Sequence, residues 1–83
     1  MAELTFEEAA EMVSMGCILD ATDDDKLLLY GLYKVGSGTR PGSGWGVVHQ
    51  AKVGAWERAV LACGNDPTCA QAHYASAVAR LLP

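Results

Sequence analysis

The sequence predicts an all-α domain of four helices, and three observations carry that prediction. Apolar residues recur at three- and four-residue intervals through four segments. Two of those segments open on a threonine with an acidic residue three positions later, and Gly and Pro mark the breaks between segments. The first helix starts at Thr5, whose hydroxyl pairs with Glu8 in a capping box that satisfies orphan amides. Phe6, Ala9, Ala10, Val13 and Cys17 form its apolar stripe, Glu7, Glu8 and Glu11 fall largely elsewhere, and Gly16 weakens its last turn.

The second helix repeats the signal at Thr22 and Asp25, with Asp23, Asp24 and Asp25 set against the positive end of the helix dipole, and runs to about Val35. Its run Leu27-Leu28-Leu29-Tyr30 is apolar on more than one side, which suits a central helix with neighbours on two faces. The stretch from Gly36 to Gly44 reads as a loop, since Gly permits positive φ and Pro41 has no amide donor. A third helix follows over roughly Val47 to Ala62, with Val48, Lys52, Ala55, Trp56, Ala59 and Val60 in period and Gly64 as its left-handed stop. Asp66-Pro67 caps the fourth, which runs to about Leu82 with a thin stripe of Ala70, Tyr74, Ala77, Val78 and Leu81 that permits close approach.

With 83 residues the chain has room for one domain, spanning 1–83. Its 51% apolar and 19% charged content is globular and supports a core without a metal or disulfide staple. Cys17, Cys63 and Cys69 are odd in number and lack zinc spacing, which favours reduced thiols in a cytoplasmic protein. The alternative is a Cys63–Cys69 bridge, which the five intervening residues would allow. Glu3, Glu7 and Glu8 stand where a signal peptide carries basic residues, and no apolar run reaches membrane-spanning length, so neither secretion nor membrane insertion is expected. A net charge of −4 argues against non-specific nucleic-acid binding.

The most informative residues are Tyr30, Tyr33 and Lys34, at i, i+3 and i+4 on one helical face, with Lys52 on the next helix. Two phenols beside two ammonium groups suit a flat heterocycle carrying phosphate: rings pack on the base, hydroxyls donate to phosphate, and the lysines offset the repulsion an acidic chain would impose on a dianion. Taken singly, each tyrosine would read as a half-buried helix residue and each lysine as surface charge.

These residues lie in a frame that resembles the acyl-CoA-binding protein family. FEEAAEMV (Phe6 to Val13) is similar to the family's first helix, and TDDDKLLLYGLYK (Thr22 to Lys34) to its second. Arg40-Pro41-Gly42 resembles the Arg-Pro-Gly of the second loop, Ala51-Lys52 with Ala55-Trp56 the Ala-Lys-x-x-Ala-Trp of the third helix, and Ala72-His73-Tyr74 the site of the fourth-helix tyrosine. The resemblance implies an antiparallel four-helix bundle that binds long-chain acyl-CoA without transforming it. It places Tyr30, Lys34 and Lys52 at the adenine and 3′-phosphate, and Tyr33 and Tyr74 along the ligand.

Burying the acyl tail contributes roughly 0.8 kcal/mol per methylene, so longer chains should bind tighter until the groove ends. Lys26 through its aliphatic stem, Leu27, Leu28 and Ala51 are the candidates for that groove. Arg40 either reaches phosphate or fixes its own loop, Trp45 either plugs the bundle or covers an acyl chain, and Trp56 continues an apolar stripe into the core. The chain departs from the family pattern at Ser14, Val48, Gln50 and Val53, which replace basic or tryptophan positions. The loop after Lys34 is shorter, and about three residues are inserted between the third and fourth helices. The lost basic residues predict a weaker head-group site than a typical member has.

Other chemistries find little support. His49 and His73 have no partner at ligand spacing, so no metal is expected, and capping explains the acidic run at 23–25 without a calcium loop. There is no nucleophile elbow and no phosphate loop, and no cation stands immediately beside Cys63 or Cys69, so no enzyme is expected. The expectation is a cytoplasmic monomer that carries and buffers acyl-CoA, uses no cofactor and makes transient contacts with lipid-metabolising enzymes. The alternative is a helical protein-interaction bundle that has lost or weakened acyl-CoA binding.

Overall fold

Both predicted capping boxes close. Thr5 Oγ1 accepts from the Glu8 amide at 3.1 Å while Glu8 Oε1 accepts from the Thr5 amide at 2.9 Å. Thr22 and Asp25 make the same reciprocal pair at 3.1 and 3.0 Å. These boxes open the first two helices of an all-α four-helix bundle, seen in a computed structural model that describes residues 4–82. The helices are α1 (Phe6–Ser14), α2 (Asp23–Gly36), α3 (Val47–Cys63) and α4 (Pro67–Leu81). Glu3, one of the acidic residues noted at the N-terminus, lies outside the described residues.

α1 is shorter than its stripe suggests. The helix closes at Ser14 with Met15 as its cap, and Gly16 takes φ 78°, a left-handed turn that redirects the chain. Cys17 therefore sits in the connection to α2, half-buried, rather than on the helix. At the other end of the bundle Gly64 ends α3 at φ 61° and Asp66 caps α4 by accepting from the Thr68 amide at 3.0 Å.

α2 is the central element and packs on both α3 and α4, while α1 lies on α4. The core is built from Ala9, Leu29, Leu32, Val35, Ala59, Ala70, Tyr74, Ala77 and Val78, with Phe6, Val13 and Trp56 packed against it. So many small side chains bring the helix axes close, and Val78 is the bulkiest side chain fully out of water. The predicted α3 stripe holds from Ala55 onward but not at Val48, which is 70% exposed. The first turn of α3 starts from Gly46 without a side-chain cap and leaves Val47 and Val48 exposed.

Candidate ligand-binding site

The site begins with a glycine. A Cβ at Gly31 of α2 would fall on the Ala55 carbonyl oxygen, 2.7 Å from its carbon and 3.2 Å from the Trp56 nitrogen, so only glycine lets α2 and α3 touch here. Tyr30 precedes that contact on α2, and Lys52 lies one helical turn before Ala55 on α3. The close approach sets them side by side, with the Lys52 ammonium nitrogen 5.5 Å from the centroid of the Tyr30 ring. Lys34, one turn on from Tyr30, holds its own nitrogen 5.6 Å from the same ring. Both distances lie within cation–π range.

From Tyr30 an open groove of about 220 Å³ runs over the bundle, lined by Val13, Lys26, Leu29, Tyr30, Tyr33 and Tyr74. Lys26, Leu29, Tyr30 and Tyr33 share one face of α2 by helical spacing. Two of the groove's lining residues, Tyr33 and Tyr74, belong to an aromatic triad with Phe6. Phe6 stacks on Tyr33 at 5.6 Å and 27° and meets Tyr74 edge-on at 5.2 Å, and the two tyrosine centroids stand 5.8 Å apart. Such pairs fix ring orientation beyond what burial alone achieves. Tyr33 is 41% exposed, whereas Tyr74 is 3% exposed, and burial first and the neighbouring Tyr33 second push the Tyr74 hydroxyl above its ordinary pKa.

The expected residues thus divide. Tyr30, Lys34 and Lys52 converge on one ring, and Lys26, Tyr30, Tyr33 and Tyr74 line one groove. Leu27 and Ala51 are half-buried outside that lining. Leu28 is turned about 200° from Lys26 on the helix and lines a different cavity, of about 630 Å³, with Leu32, Arg58, His73 and Arg80. Arg40 lays its guanidinium carbon 5.1 Å from the Trp56 ring of α3 and lies outside the groove lining. Trp56 packs on the core, as its stripe implies. Trp45 is 93% exposed and plugs nothing.

Val13 and Leu29 complete the groove and were legible only as apolar helix residues, since nothing in one helix shows which neighbour it will share a wall with.

Two expectations at the α3–α4 turn are corrected. Cys63 and Cys69 are joined as a disulfide, with Cα atoms 5.5 Å apart, instead of standing as free thiols. The turn makes this reach possible: Gly64 and Asn65 both take left-handed φ near 61–62°, and the Asp66 amide donates back to the Cys63 carbonyl at 3.1 Å. His73, expected to stand alone, follows Cys69 by one helical turn and brings a ring nitrogen to the same place. The two sulfurs and that nitrogen all lie within 4.8 Å of one another.

Residues 3–78 match the family model described as Acyl CoA binding protein, and the chain belongs to that family. No curated protein and no solved structure matches it. The family is one of acyl-CoA binders and carriers rather than enzymes, and among the described residues no helix is long and apolar enough to cross a membrane.

Proposed function

We propose that this protein binds long-chain fatty acyl-CoA as a cytoplasmic carrier and buffer, with Tyr30, Lys34 and Lys52 at the nucleotide and the groove of Tyr33, Tyr74, Leu29 and Val13 along the acyl arm. The observation that carries the proposal is the pair of ammonium groups held on one half-exposed phenol ring. A phosphate dianion brought to this ring would accept charge-assisted hydrogen bonds from ammonium groups on two different helices. The Tyr30 ring offers an aromatic surface to adenine. The groove opens from the same ring, so head group and tail are served by one continuous surface.

The aliphatic stem of Lys26 can cover methylenes while its charge stays in water. Arg40, engaged with Trp56, serves the loop in this arrangement and not the phosphate. Leu27 and Ala51 act behind the groove wall rather than as contacts. Trp45, exposed at the head of α3, is free to fold over a bound chain. The protein works as a monomer without a cofactor, shields the thioester from water and membranes, and hands it to lipid-metabolising enzymes through transient contacts.

The test is calorimetric titration of C14 to C18 acyl-CoA into the purified protein, beside free fatty acid of equal length. The expected result is one-to-one binding of the thioester and far weaker binding of the acid, which lacks the nucleotide. Equal affinity for the two would discard the nucleotide-anchored site, and no binding of either would favour a bundle that serves protein interaction alone.

A further inference from the structure

We propose that Cys63, Cys69 and His73 form a zinc site when the disulfide is reduced. The inference is independent of acyl-CoA binding and uses residues on no wall of the proposed groove. Cys63 closes α3, Cys69 lies in the first turn of α4, and His73 stands at i+4 from Cys69, so one helical face presents a thiol and an imidazole to the other cysteine. Their three ligand atoms lie within 4.8 Å of one another. Tetrahedral zinc, with bonds of about 2.3 Å to sulfur and 2.0–2.1 Å to nitrogen, needs its ligand atoms about 3.4–3.8 Å apart, a distance the reduced sulfurs reach by relaxing off the covalent bond.

The donor set selects the metal class. Two thiolates and an imidazole are soft to borderline ligands that suit zinc and disfavour magnesium or calcium. Three protein ligands leave the fourth position to water or a small thiol. The redox step is thiol–disulfide exchange with a cellular thiol. Two equivalents of that thiol are oxidised to their own disulfide, and the Cys63–Cys69 bond accepts the two electrons and two protons as two thiols. Zinc then displaces both thiol protons to solvent.

The site also fits a structural need. α3 and α4 share little packing with each other compared with their contacts to α2, so their junction relies on the turn that Gly64, Asn65 and Asp66 form. A covalent bond ties that junction under oxidising conditions. A metal ties it under reducing ones, where the disulfide does not persist.

The experiment uses the full chain reduced with a phosphine, and cobalt(II) as the spectroscopic substitute for zinc. One equivalent of cobalt should give thiolate-to-metal charge transfer in the near ultraviolet and the visible bands of a tetrahedral ion, both abolished by zinc. Zinc should also raise the thermal midpoint of the reduced protein and leave that of the oxidised protein unchanged. C63S and C69S should lose the charge-transfer band, C17S should keep it, and H73A should weaken binding by at least the roughly 10–100-fold that loss of a supporting partner costs a metal site. Reduced wild-type protein already lacks the disulfide, so it is the reference for folding of the serine variants, checked by helicity. The proposal is overturned by absence of the cobalt bands in reduced wild-type protein, by bands that survive in C63S or C69S, or by unchanged affinity in H73A.

Discussion

Lys52 on α3 holds its ammonium nitrogen 5.5 Å from the centre of the Tyr30 ring on α2. The two residues are 22 positions apart, and nothing on either helix alone brings them together. What does so is the absence of a side chain at Gly31, where the α3 backbone comes to rest on α2. The proposed binding pair and the glycine contact between α2 and α3 are therefore one feature.

Lys52→Ala should weaken acyl-CoA binding by about 1.5–3 kcal/mol, the range of a charge-assisted hydrogen bond, or roughly tenfold to a hundredfold in Kd. Tyr30→Phe should weaken it less, since the ring remains. Because Lys34 and Lys52 share one ring, the double alanine variant should cost less than the two single losses added. Titration calorimetry reads all three, and affinities within twofold of wild type for both Lys52→Ala and Tyr30→Phe would remove these residues from the site.

Gly31→Ala should destabilise the fold by about 1–3 kcal/mol, as overpacking against backbone does, even though alanine is the better helix former. Gly54→Ala is the control. A Cβ at Gly54 meets nothing nearer than the Arg58 guanidinium at 3.6 Å, so that change should be stabilising by up to about 1 kcal/mol. Urea unfolding of both separates packing from propensity, and a stabilised Gly31→Ala would show that α2 and α3 can part freely.

Much of the fold was legible because its signals are local. Thr5, Thr22 and Asp66 each state a helix start within three residues, and each forms the cap that its spacing implies. The failures have one cause, which is that a single helix does not show where its neighbours stop. Cys17 keeps the apolar period yet lies past the end of α1, Val48 keeps it yet is exposed, and Leu28 lines another cavity than Lys26. Tyr30, Lys34 and Lys52 could be grouped from spacing and resemblance, whereas Phe6 stacked on Tyr33 and His73 beside Cys63 and Cys69 depend on tertiary geometry alone.

Each capping box stands at an exposed helix start, so its loss should act on stability without touching the groove. Thr5→Ala and Thr22→Ala should each cost about 1 kcal/mol. The two caps are far apart in the chain and share no partner, so the double variant should show additive loss in urea unfolding. Strong non-additivity would mean that one helix start unravels with the other.

Reducing the Cys63–Cys69 bond in zinc-free buffer should lower unfolding free energy by about 2 kcal/mol, the loop-closure entropy of so short a ring. The effect should appear as a lower urea midpoint and disappear in a C63S/C69S variant, which has no bond to lose. A reductant effect that persists in that variant would place its origin at Cys17 instead.

Alkaline pH should unfold the protein through Tyr74. Burial, and secondarily Tyr33, hold its hydroxyl above the ordinary value of 10.0, so the native state keeps this proton to higher pH than the unfolded chain does. Where the native state binds more protons, unfolding free energy falls with rising pH. The contribution is therefore fully present below the ordinary tyrosine pKa and is lost as pH climbs toward the folded value. The slope is at most about 1.4 kcal/mol per pH unit for one proton. The slope of wild type alone sums every group that loses a proton at alkaline pH. Tyr74→Phe resolves it, because it keeps the ring against Phe6 and Tyr33 and removes only the hydroxyl. Urea midpoints collected upward from pH 8 should decline less steeply in Tyr74→Phe, and parallel curves for the two proteins would assign the alkaline loss to other groups.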